Sequence, residues 1–117
     1  MNKFSEISIF QVKLDKVNEF ESIMIQATKV LKESQGCSKV HLVKRTHYIK
    51  DMDTIRGGDS PDALTRAVKC VKYSLYLEFD TKENYGLSQK NLYETWWKEI
   101  DKCLIVPHDK LLGEVII

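Results

Sequence analysis

The sequence predicts an α+β fold with the element order β-α-β-β-α-β and one four-stranded antiparallel sheet. Three observations predict it. Residues 69–80 alternate apolar and polar side chains without a break. Residues 16–34 carry apolar side chains at helical spacing. Four strand-like stretches and two helical ones share 117 residues, a length that fits a single domain spanning 1–117.

The first strand is Ser5 to Leu14, SEISIFQVKL. Phe10, Val12 and Leu14 share one face and Ile7 and Ile9 the other, so both faces are apolar and the strand reads as buried on both sides. Asp15 is the expected N-cap of a helix over Lys16 to Ser34, because its carboxylate can accept from free backbone N–H groups. Val17, Phe20, Met24, Ala27 and Leu31 form the apolar stripe of that helix, widened by Ile23 and Val30. Gly36 follows as a residue that adopts the left-handed conformation cheaply.

Ser38 to Tyr48 reads as the second strand, with Val40, Leu42 and Lys44 on one face and His41, Val43, Arg45 and His47 on the other. An insertion over about 50–63 follows, rich in Gly, Asp and Pro, and is expected to be a mobile loop, a lid or a dimer arm. The third strand, Lys69 to Asp80, places Val71, Tyr73, Leu75, Leu77 and Phe79 on one strictly apolar face. Asp80 and Glu83 have capping-box spacing and start the second helical region. Gly86 is expected to interrupt it, Ser88 to cap its restart and Pro107 to end it. Its stripe is Leu92, Tyr93, Trp96, Trp97, Ile100 and Leu104. Leu111 to Ile117 is the closing strand.

This order is the ferredoxin-like arrangement, in which both helices lie on one face of the sheet. The other face is left bare, yet strands one, two and four carry apolar side chains on both faces. A bare apolar face is a partner site, and the simplest partner is a second copy in a symmetric sheet-on-sheet homodimer.

Composition narrows the function. The net charge of +1 gives no global attraction to nucleic acid or to an anionic membrane, so neither is an expected partner. No apolar run is long enough for a transmembrane helix, and Met1 to Glu6 lacks the pattern of a signal peptide, so the expected location is cytoplasmic. Cys37, Cys70 and Cys103 have neither disulfide nor metal-ligand spacing and read as ordinary thiols. No metal-binding pattern, phosphate loop or catalytic triad order is present, so no cofactor and no metal are expected.

IFQVK in the first strand, NEFESIM in the first helix, the turn SQGC at Ser34 to Cys37, and YLEFD followed by a helix carrying Tyr85 together resemble the antibiotic biosynthesis monooxygenase-like family of the dimeric α+β barrel superfamily. The resemblance spans nearly the whole chain apart from the insertion. It implies a dimeric α+β barrel with a ligand cavity between each sheet and its helices. It also implies a set of functions: cofactor-independent oxygenation of quinol-like aromatics, haem degradation, or no known reaction. The haem-degrading members use an Asn on the first strand and a Trp and a His in the second helical region. Here Ser5 to Leu14 has no Asn, Phe79 to Leu104 has no His, and Trp96 and Trp97 sit late in the helix, all of which counts against haem degradation.

Five residues are the candidate ligand pocket: Tyr73, Tyr93, Trp96, Trp97 and His41. Tyr93 and Trp97 are i, i+4 neighbours whose rings can stack on a flat ligand, although the same residues serve equally as core. Tyr73 points from the third strand toward the helices or fills the core. His41 is a general-base candidate or one element of a polar dimer face, with His47 about 20 Å further along the same strand face. His108 reads as solvated, and Glu78 and Asp80 as solvated or capping groups at a strand end. No residue is assigned a catalytic role. Two readings stay open: a small-molecule-binding, cofactor-independent monooxygenase of a quinol-like or aromatic substrate, and a non-catalytic ligand-binding or stress-related dimer.

Overall fold

The computed structural model describes residues 2–49, 52–65 and 69–117. Strand β1 (Phe4–Lys13) leads through one 3₁₀ turn (Leu14–Lys16) into helix α1 (Val17–Lys32) and then strand β2 (Cys37–Lys44). The short helix α2 (Met52–Arg56) precedes strand β3 (Cys70–Phe79). Helices α3 (Lys82–Thr95) and α4 (Trp97–Lys102) precede strand β4 (Asp109–Glu114). The sheet order is β2-β3-β1-β4, with antiparallel pairing throughout. This is the ferredoxin-like α+β arrangement expected from the element order. In the single chain the sheet is open and does not close on itself.

One face of the sheet packs on the helices. Phe10, Val12, Val40, Tyr73, Leu75, Leu77 and Phe79 meet Phe20, Met24, Ala27 and Leu31 of α1 and Tyr85, Leu92 and Ile100 of the second helical region in one core. The predicted stripe of α1 is the buried one, and the alternation of β3 places the predicted face inward.

The opposite face is uncovered. Cross-strand pairing sets His41, Tyr76, Ile7 and Leu111 in one row, and Val43, Ser74, Ile9 and Asp109 in the next. Ile7 and Ile9 are 41% and 39% exposed, so β1 is covered on one side only within the chain.

Several local expectations are corrected. Asp15 lies inside the 3₁₀ turn, and Lys16, without a side-chain cap, precedes α1. The cap of α3 is Thr81, one residue after Asp80, and its hydroxyl accepts from Asn84 N–H at 3.1 Å. Asp80 instead accepts from Asn84 Nδ2 and donates its backbone N–H to Gly36. Gly36 has φ +82°, and a Cβ there would stand 2.0 Å from Asp80 Oδ1, so this close approach requires glycine. Gly86 does not interrupt α3, and Ser88 donates to Tyr85 C=O instead of capping. The break falls at Trp96. Strand β4 begins two residues before Leu111 and ends at Glu114, because it pairs with Phe4–Ile9 of β1.

β2 ends at Lys44, so His47 does not share its face with His41. His47 instead bridges Ala63, while Tyr48 N–H donates to Asp62 C=O and Leu64 N–H to Thr46 C=O. The insertion is therefore tied at its base as a hairpin and carries α2. Lys50 and Asp51 lie outside the described residues.

Candidate functional site

The period-2 pattern of β1 points Phe4, Glu6, Ser8, Phe10 and Val12 at the helices. A carboxylate therefore sits in the core-facing row, and Glu6 is 1% exposed. Such a group is tolerated inside only when it is paired and hydrogen-bonded. Ser8 donates from its hydroxyl to Glu6 Oε2 at 2.5 Å. Tyr85, from the first turn of α3, donates its hydroxyl to Glu6 Oε1. Lys110 of the neighbouring β4 places Nζ 3.1 Å from the same oxygen.

Lys110 continues the network outward. Its Nζ lies 3.4 Å from the Tyr93 hydroxyl and 5.5 Å from the centre of that ring. Tyr93 packs on Trp97 at 4.8 Å between centroids, and Trp97 meets the edge of His108 at 4.7 Å. His108 also stacks on Phe10 at 5.3 Å and 20°. His108 is thus half-buried between two aromatic rings, a correction of the expected solvated turn residue. Burial, helped by the Lys110 charge, pulls its imidazole below the ordinary value, so it is the neutral base at pH 7. Burial and the carboxylate of Glu6 push the Tyr85 phenol far up, so it remains a donor.

A second carboxylate cluster lies at the opposite edge. Glu21 of α1 takes the Tyr73 hydroxyl hydrogen bond and an ion pair from Lys44 Nζ at 2.8 Å. With Ile25 and Leu42 they line a recess of about 170 Å³. Hydrogen bonds from Lys44 and Tyr73 hold Glu21 below the usual carboxylate range. Burial and the Glu21 hydrogen bond raise Tyr73 well above an ordinary phenol.

The structure therefore separates the sequence-derived site residues. Tyr93 and Trp97 are together, beside Lys110 and His108. Trp96 packs against the core at the break between α3 and α4. Tyr73 belongs to the Glu21 recess. His41 is exposed on the uncovered face and lines a recess of about 340 Å³ at the β2 edge with Lys32, Cys37, Ser38 and Lys39. Glu78 is a further correction: it is buried among Ser38, Tyr76, Lys3 and Lys39 instead of solvated. Burial opposes its ionisation, but the hydrogen bonds from Tyr76 and Ser38 with the two lysines bring it below the usual range.

Sequence reading missed Glu6, Tyr85, His108 and Lys110. One signal for Glu6 was available: it stands in the same period-2 row as Phe10 and Val12, where an ionisable residue must find partners. Nothing in the sequence marked His108 or Lys110, because both reach the site through the turn and pairing of β4.

Among solved structures the chain aligns over nearly its whole length with proteins of this architecture. One is a Nitrosomonas europaea protein whose name proposes an antibiotic biosynthesis monooxygenase, with TM-score 0.72 at 14% identity, covering 98% of this chain and 91% of that one. This is the fold of the antibiotic biosynthesis monooxygenase-like proteins. A mutant of SnoaB, named a cofactor-independent oxygenase from Streptomyces nogalater, aligns with TM-score 0.68 at 9% identity over 100% of this chain and 96% of that one. A protein from an uncultured marine organism, named a dimeric ferredoxin-like protein, gives 0.62 at 12% over 100% and 90%. At these identities the likeness establishes the monooxygenase-like fold and no activity. No protein-family profile and no curated protein matches the chain. No described helix is long and apolar enough to cross a membrane, and the described residues hold no cluster of metal-ligating side chains.

Proposed function

We propose that this chain binds a flat aromatic small molecule between α3 and the β1–β4 half of the sheet, and acts on it as a cofactor-independent monooxygenase of a quinol-like substrate. The observation that carries the reading is the juxtaposition of a neutral base and a cation at an aromatic wall: His108 on Trp97, and Lys110 on Tyr93. A general base needs an unprotonated lone pair at the operating pH, and burial keeps His108 unprotonated. Lys110 can stabilise the anion that forms when the substrate loses its proton.

The chemistry is balanced by substrate and dioxygen alone. An acidic C–H of the keto tautomer of the quinol gives its proton to His108. The carbanion passes electrons to dioxygen, a C–O bond forms, and His108 returns its proton to give a hydroperoxide on a carbon that keeps its second hydrogen. Loss of water leaves a carbonyl, so one oxygen atom enters the product and the other departs as water.

The homodimer belongs to this proposal. Ile7, Ile9, Val43 and Leu111 leave an apolar centre on the uncovered sheet face, and a structure of like fold is named dimeric. A second copy packed there would complete a dimeric α+β barrel. The hairpin that carries α2 is proposed as its arm. Sedimentation of the wild type at micromolar concentration should give a dimer, and Ile7→Lys with Leu111→Lys should give a monomer.

Oxygen uptake with a panel of quinols tests the reaction. Turnover should fall at least about a hundredfold in His108→Phe and drop in Trp97→Ala. Turnover unchanged in both variants removes the site, and no uptake with any quinol removes the reaction. One observation favours a second reading, a non-catalytic ligand-binding dimer: Glu6 is already occupied by three donors of its own chain, as a structural carboxylate would be. That reading predicts saturable binding of an aromatic ligand without uptake.

A further inference from the structure

Gln89 lies one helical turn after Tyr85 and one before Tyr93 on α3, so the three share one face of the helix. That face overlooks β1 and β4, because Tyr85 reaches Glu6 and Tyr93 reaches Lys110. Both amide atoms of Gln89, Oε1 and Nε2, are buried, and neither has a hydrogen-bond partner. An amide carries two donors and one strong acceptor, and burying all of them unpaired is destabilising. The neighbouring sheet position is not closed off: Leu112 pairs with Glu6, faces the same side and is 51% exposed. The chain therefore keeps a costly, unused donor–acceptor pair on the sheet-facing, aromatic side of α3, next to the half-exposed Leu112.

We infer that the Gln89 amide is the recognition group of this site, and that its ligand is a flat aromatic bearing a hydrogen-bond donor next to an acceptor, as in a cyclic lactam or a hydroxyl beside a carbonyl. Such a ligand, once the Gln89 side chain turns outward past Leu112, meets the amide with two parallel hydrogen bonds, N–H to acceptor and donor to C=O, while Tyr93 and Trp97 cover its ring. The inference rests on the ligand-site reading above and deepens it. A site built around a polar pair discriminates by rejecting analogues that leave the pair unsatisfied. Gln89 touches the ligand in this scheme and takes no part in proton transfer.

The test compares 2-quinolone, a planar lactam with adjacent N–H and C=O, with N-methyl-2-quinolone, which lacks the donor. Each is titrated calorimetrically into the full chain and into Gln89→Leu. The wild type should bind 2-quinolone about tenfold more tightly, the effect of the one hydrogen bond that N-methylation removes. Gln89→Leu should bind both compounds alike and should melt at or above the wild-type temperature, since it removes an unsatisfied amide. Equal or absent binding of the two compounds by the wild type overturns the inference, and needs no variant to fold. A preference that survives in Gln89→Leu overturns it as well, and so does a marked fall in melting temperature, which would make the amide structural. Oxygen uptake separates this from the oxygenase reading. Lactam preference without turnover of any quinol sinks the oxygenase and leaves the recognition group standing. Quinol turnover with unchanged KM in Gln89→Leu does the reverse.

Discussion

Replacing Lys110 by Met removes one charge from the buried network and keeps most of the side-chain volume. Lys110 Nζ is 3.1 Å from Glu6 Oε1, and the carboxylate is 1% exposed. At that separation and an effective dielectric of about 20, the gross attraction is about 5 kcal/mol. Desolvation offsets part of it, and the Lys110 side chain is still 22% exposed, so water screens part of the rest. The expected net loss is about 2 to 4 kcal/mol, at or just below the range for stranding a buried charge. For a chain of this length each kcal/mol shifts Tm by about 4 °C, so Lys110→Met should melt about 8 to 16 °C lower. Urea unfolding followed by circular dichroism reads the same quantity as a lower midpoint at unchanged slope. Adding Glu6→Gln removes the stranded charge and should recover about half of the loss, because the pair acts as a unit. If Lys110→Met lies within about 0.5 kcal/mol of wild type, the range for surface substitutions, the ion pair does not hold the fold together.

Three further outcomes follow from the geometry. Gly36→Ala should destabilise by about 1 to 3 kcal/mol, because φ is +82° and the new Cβ would meet Asp80, whereas Gly86→Ala, in open space inside α3, should stabilise by about 0.5 to 1 kcal/mol; equal effects in thermal melts would refute the contrast. Thr81→Ala should cost about 1 kcal/mol in urea unfolding and Asp80→Ala should leave the cap intact, so the reverse order of midpoints would restore Asp80 as the cap. Stability should fall with acid in two windows. His108 has a folded pKa below its ordinary 6.5, so the unfolded chain takes up its proton first and stability declines as pH drops from about 6.5 through the folded value. Glu21 is also lowered, so its contribution is complete above about pH 4.5 and is lost as pH falls through its folded value. His108→Phe should flatten the first window and Lys44→Met the second, as read by Tm across pH 3 to 8; an unaltered profile in either variant would discard that assignment.

The elements were legible where a single period decided them. β3 has one strict apolar face, and α1 repeats Phe20, Met24, Ala27 and Leu31 on one side, so local pattern and burial agree. They were less legible where neighbours compete. Asp80 and Thr81 are both good caps, and the choice follows from Gly36, which engages Asp80 from the other side of the fold. Gly86 weakens a helix in isolation, yet packing of Tyr85, Ser88 and Leu92 carries α3 through it. Leu111 to Ile117 is apolar enough for a strand throughout, but the strand pairing stops at Glu114 opposite Phe4, with one further bond from Val115 N–H to Lys3 C=O.

The site follows the same division. The aromatic pair Tyr93–Trp97 was readable, because i, i+4 spacing on a helix is local. Tyr73, His41 and Trp96 were grouped with it by residue type, and the fold sends them to three other places. From its residues alone this chain determined its element order, its core-facing rows and its second apolar sheet face, since periodicity and burial act within a few positions. Only the tertiary structure decided that Glu6 receives Ser8, Tyr85 and Lys110, and that His108 lies between Phe10 and Trp97. Lys110 and His108 lie about a hundred positions from Glu6 and Phe10, and pairing of β4 beside β1 is what brings them together, while α3 carries Tyr85 over Glu6.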